Sequence, residues 1–165
     1  MTLTSHAIVG AAIASFFPQD PALGFTLAFA SHFALDAVPH FDYRIESASI
    51  NPRYGAKMKY DKALLHDFFR IGGDALVGVI LALAIFAHPG NFSIVLFGIA
   101  GAFFPDILQF VYMRWKHQPL SSLQHLHHWI SRGSEYFDMN NRPFLGIISQ
   151  FFIILSLIFL AKSFL

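Results

Sequence analysis

The sequence predicts an all-α, polytopic integral membrane helical bundle forming one transmembrane domain over residues 1–165. Three observations carry this. Hydrophobic residues make up 55% of the chain and charged residues 13%, about half the roughly 25% that clothes a soluble domain. Ala75 to Pro105 contains no Asp, Glu, Lys or Arg, and neither does Pro143 to Ala161. Runs of about 20 apolar residues are what a hydrocarbon core of about 30 Å demands.

About five membrane helices, the first one short, follow in order. Thr4 to Phe17 is apolar but brief, and it lacks the basic leader of a signal peptide, so it reads as a retained helix. Pro21 to Val38 is the second, interrupted by His32 and Asp36 and closed by Pro39. The charge-free run then divides at His88-Pro-Gly-Asn91, a turn signal, into helices near 61–87 and 92–114. Pro143 to Ala161 is the last, with Pro143 suited to a first helical turn and Lys162 to a last one. Polar loops are expected at about 41–60 and 114–142, the second holding a short interfacial helix from Leu120 to Ser131.

Charge sets the orientation. Arg44, Arg53, Lys57, Lys59 and Lys62 lie in or beside the first loop, and Arg114, Lys116, Arg132 and Arg142 in or beside the second. The connections at Gln19-Asp20 and His88 to Asn91 carry no basic residue other than His88. With five spans, the N-terminus and both polar loops fall in the cytoplasm and the C-terminus outside. A net charge of +1 excludes the basic footprint of a nucleic-acid binder, and the absence of Cys excludes thiolate sites and disulfides. Membrane lipids are the expected surroundings.

Against this background the 9 histidines and 10 acids stand out. Ionisable groups inside spans are costly, face the bundle interior and mark function. His6, His32, Asp36, His40, Asp42, Asp74, Asp106, His125 and His128 all fall on the side marked by Lys and Arg. His32, Asp36 and His40 recur every four residues, and His125 and His128 form an i,i+3 pair, so each set shares a helix face. Such His and Asp sets resemble ligation of Zn²⁺, with Mn²⁺ or Fe²⁺ as alternatives. His6, His32, Asp36, Asp74, Asp106, His125 and His128 are the candidate metal ligands, and His40 and Asp42 the candidate catalytic groups. Each has a plainer reading: Asp74 could pair with Arg70, Asp106 could end or bend its helix after Pro105, and His40 and Asp42 could cap one. His127 competes with His125 and His128 for the ligand positions.

Thr4-Ser5-His6 opening an apolar helix, Ser31-His32-Phe-Ala-Leu-Asp36-Ala-Val-Pro39-His40-Phe-Asp42 and Phe104-Pro105-Asp106 together resemble the bacterial membrane-bound metal-dependent hydrolases of the LexA-regulated inner-membrane type. That family is in turn loosely similar to zinc-dependent phospholipase C. The resemblance implies an inner-membrane hydrolase. With the one-sided cluster it gives the expectation of a phosphoester or lipid-linked substrate, cleaved through a metal-bound hydroxide at the cytoplasmic interface. Two other readings use the same residues: a divalent cation or proton transporter or channel, and a small haem-binding or structural subunit. Conduction needs polar groups across the bilayer. The outer stretches Val77 to Ala87 and Phe92 to Ala100 carry none that ionise, which favours the enzyme.

Overall fold

The computed structural model describes residues 1–51, 55–115, 117, 119–137 and 141–164. Arg53 and Lys116, two of the orienting charges, lie outside them. Among the described residues, six helices and one hairpin follow in the order α1 (Leu3–Ser15), α2 (Pro21–Asp36), β1 (Ala48–Asn51), β2 (Gly55–Met58), α3 (Lys62–Phe86), α4 (Phe92–Arg114), α5 (Ser121–Tyr136) and α6 (Pro143–Phe164).

Among the described residues three helices, α3, α4 and α6, are long and apolar enough to cross a membrane, where the sequence suggested five. Apolarity misled the count because α1 and α2 have only 13 and 16 residues. At 1.5 Å per residue they reach about 20 and 24 Å, short of a hydrocarbon core of about 30 Å. Both instead pack along α4, and α1 also packs against α3.

Small residues make α1 the centre of the bundle. Ala7, Ala11 and Ala14 are fully buried, and Gly10 lies so close to α4 that a Cβ there would sit 2.5 Å from the Gly98 carbonyl oxygen. In α2 the buried stripe runs Gly24, Ala28, His32 and Asp36, every fourth residue, so the small residues that seat the helix continue into its ionisable ones.

Helix ends are fixed by side chains. Asp20 and Asp61 accept from Leu23 N and Ala63 N, capping α2 and α3. Asn91 closes the turn between α3 and α4 by accepting from His88 N at 2.8 Å and donating to Phe86 O at 3.0 Å. Helix α4 runs through Pro105 to Arg114 rather than ending there.

The first polar segment is not all loop. Ala48 pairs with Met58, Ser49 with Lys57 and Ile50 with Ala56 in an antiparallel hairpin. Its alternation is faint in sequence, and an isolated two-stranded hairpin is marginal in water. Tertiary anchoring holds it: buried Asp67 of α3 accepts from Glu46 N at 2.8 Å and Ser47 N at 2.7 Å, and Lys59 N donates to Ser47 O at 2.7 Å. The helix expected over Leu120 to Ser131 forms as α5, five residues longer at its C-terminal end than that reading.

The start of α1, the end of α2, the first half of α3, the last turns of α4, α5 and the start of α6 meet at one end of the bundle. Ser149 of α6 donates to Pro39 O at 2.6 Å there. The His88–Asn91 turn marks the opposite end.

Candidate metal centre

Asp36, in the last turn of α2, is the hub of the cluster. Its side chain is 5% exposed. Oδ2 lies 3.2 Å from His32 Nε2, one turn earlier on the same helix, and 3.0 Å from His127 Nε2 of α5. The two imidazole nitrogens are themselves 3.3 Å apart. These three atoms form a nearly equilateral triangle. Bonds of about 2.0–2.1 Å in a tetrahedral site place neighbouring donor atoms about 3.3 Å apart, so the triangle has the dimensions of one face of such a site.

Two more groups stand beside it. Asp106 Oδ1 of α4 is 3.6 Å from His32 Nε2, and His6 Nε2 of α1 is 3.3 Å from Asp36 Oδ1. His6 stacks on His32 with ring centroids 4.0 Å apart. The two sets His6, His32, Asp36 and His32, Asp106, His127 each bring their donor atoms within 4.8 Å of one another, as a metal ion requires.

A backbone carbonyl orients the His32 ring. His32 Nδ1 lies 2.8 Å from the Ala102 carbonyl; an N–H donated there leaves the lone pair on Nε2, facing Asp36. Metal-bound histidines are oriented by such outer hydrogen bonds. His40 is held alike, Nδ1 2.7 Å from Val38 O, with Nε2 3.9 Å from Asp36 Oδ1.

The donor chemistry fits a divalent cation. Imidazole nitrogens and a carboxylate converge at hydrogen-bond distance, where a shared proton or a bound cation holds such groups together. Among the described residues, neither ring nitrogen of buried His6 makes a hydrogen bond of good geometry, and Nε2 has the Asp36 carboxylate as its near polar neighbour. The Met1 ammonium already places positive charge 2.7 Å from Asp36 Oδ1.

The candidate residues divide clearly. His6, His32, Asp36 and Asp106 come together, while His40 and Asp42 line the adjoining cavity. Burial, and then the nearby Met1 ammonium, push the His40 imidazole down to about 4, so it is neutral at pH 7. Three of the candidate ligands lie elsewhere. Asp74 is engaged at the start of α1, accepting from Leu3 N at 2.6 Å, from Thr4 Oγ1 at 2.7 Å and from Tyr43 Oη at 3.2 Å. It serves the helix whose own N-cap, Thr2, makes no side-chain cap. Its plainer pairing with Arg70 also gives way, because Arg70 bonds Asp67 at 2.7 Å. His125 is exposed and His128 half-exposed, whereas His127 is buried and reaches Asp36. Gln124, His127 and Ser131 recur at i, i+3 and i+7; that polar stripe, not the 125/128 pair, was the signal for the inward face of α5.

No protein-family model matches the chain, and no curated protein or solved structure does either.

Proposed function

We propose that the protein is an integral membrane metal-dependent hydrolase acting on a phosphoester or lipid-linked substrate. The His32, Asp36 and His127 triangle carries the reading: three protein ligands with tetrahedral spacing leave a fourth position open, the arrangement of catalytic rather than structural zinc sites. Asp106 and His6 flank the triangle on its other sides. Zn²⁺ suits the donor set best, and Mn²⁺ or Fe²⁺ would also be accepted by nitrogen and oxygen ligands. The resemblance to membrane-bound metal-dependent hydrolases points the same way.

A divalent ion there would polarise a phosphoryl oxygen and lower the pKa of water to near neutrality. The chain's own groups do the rest. Ala102 O fixes the His32 ring. His40 and Asp42, on the wall of the adjoining cavity, would take up and return protons. Apolar walls exclude bulk solvent and strengthen the charge interactions inside. The polar end of the bundle faces the cytoplasm of the inner membrane, the side favoured by the basic residues.

The test begins with elemental analysis of the protein purified in detergent, followed by hydrolysis of bis(p-nitrophenyl) phosphate and of phosphatidic acid in vesicles, with and without chelator. Bound divalent metal and chelator-sensitive hydrolysis are expected. Metal-free protein overturns the reading, and metal uptake into proteoliposomes without hydrolysis replaces it with transport.

A further inference from the structure

A cavity of about 540 Å³ opens from the ligand cluster, within the range of about 300–1,000 Å³ typical of small-molecule sites. Asp36, Asp106 and His127 line it, and so do Ile71 and Ala75 of α3 and Phe103, Ile107 and Phe110 of α4. Ile71 and Ala75 are one turn apart, and Phe103, Ile107 and Phe110 follow at i, i+4 and i+7, so two membrane-length helices each turn an apolar stripe into the same space.

Those stripes do not meet. Helix α1 packs closely against both α3 and α4, while α3 and α4 touch each other little. Ile107 is 51% exposed and Phe110 49% exposed, so the gap reaches the outer surface of the bundle. A polar substrate would leave these walls unused, and an apolar space without an occupant forfeits dispersion contacts.

We propose that this space is a hydrocarbon-chain subsite: a phosphate-bearing amphiphile enters sideways from the bilayer between α3 and α4, its chain against Ala75 and Ile107 and its head at the Asp36 cluster. The inference rests on the hydrolase reading for the identity of the head group; the chain's route is independent of which bond is cleaved. Ala75 is the narrowest choice for a block, because its methyl borders the cavity and a larger side chain fills it.

The experiment titrates metal-loaded protein in one fixed detergent with inorganic phosphate, butyl phosphate, octyl phosphate and dodecyl phosphate. Each methylene buried should strengthen binding, by up to about fourfold. Wild type is expected to gain affinity from butyl to dodecyl, and Ala75→Trp to lose most of that gain with unchanged metal content and unchanged affinity for inorganic phosphate. Ile107→Trp, from the opposite wall, repeats the test if Ala75→Trp does not fold. Equal chain-length dependence in wild type and both folded variants would show partition into detergent alone and overturn the subsite, as would no dependence in wild type. Absence of metal would instead sink the hydrolase reading, and phosphate affinity without any chain effect would sink only the subsite.

Discussion

His127 Nε2 lies 3.0 Å from Asp36 Oδ2 although 91 residues separate the two in the chain. That contact draws α5 onto the end of α2 and completes the triangle that His32 and Asp36 begin one turn apart. Removing either end of it should therefore cost the metal. His127→Ala, His32→Ala and Asp36→Asn are each expected to lower metal affinity by more than the 10–100-fold typical of lost outer-shell hydrogen bonds. His125→Ala and His128→Ala should leave it unchanged. Elemental analysis after equilibrium dialysis reads both outcomes, and equal loss in all five variants would disprove the assignment of His127.

The three residues illustrate what a sequence of this kind reveals. His32 and Asp36 were legible because helical spacing alone puts them on one face. His127 was not, since three histidines crowd one helix and only tertiary packing decides which turns inward. The surroundings of Asp74 were illegible for a related reason. A carboxylate inside an apolar helix signals an interior polar partner, but not whether that partner is a cation or a set of unpaired backbone N–H groups. The long spans were plain from hydropathy, while the depth of α1 depended on small residues that hydropathy scores as merely apolar. The hairpin escaped notice because its register is held by Asp67, outside the strands.

Asp74 should behave as a cap. Asp74→Ala removes the acceptor for Leu3 N and Thr4 Oγ1, and caps are worth about 0.5–2 kcal/mol. Thermal unfolding in detergent should fall accordingly with metal stoichiometry retained. Stoichiometric loss of metal at unchanged stability would return Asp74 to the ligand set.

Asp67 is expected to govern the hairpin. With Asp67→Ala, Glu46 N and Ser47 N lose their shared acceptor, at about 1–3 kcal/mol for the buried Ser47 donor. Limited proteolysis should cut the 41–60 segment faster than in wild type. Cleavage at the wild-type rate would mean that the hairpin is held by its own pairing.

Close approach of α1 and α4 gives a steric test. A Cβ at Gly10 would meet Gly98 O at 2.5 Å and Ala102 Cβ at 2.6 Å. Overpacking of this kind costs about 1–3 kcal/mol, occasionally more, so Gly10→Leu should lower the thermal midpoint strongly. Gly72→Leu, where nothing lies within 4 Å of an added Cβ, should leave it near wild type.

A chain without cysteine suits labelling from either side of the membrane. Lys59→Cys, beside the basic hairpin, should react with an impermeant maleimide only from the cytoplasmic face. Gly90→Cys, in the turn at the other end, should react only from outside. Reaction of both from the same face would overturn the orientation.

The shortness of α1 has a consequence for how the centre is assembled. A 13-residue helix rich in Ala gains too little from lipid to settle there alone, and the surfaces it needs belong to α3 and α4, which leave the ribosome later. His6 thus reaches Asp36 only after most of the chain has been made. The cluster is finished from both directions in time: its earliest histidine waits for the middle helices, and its last, His127, arrives with α5, so an incomplete chain in the membrane carries only part of it.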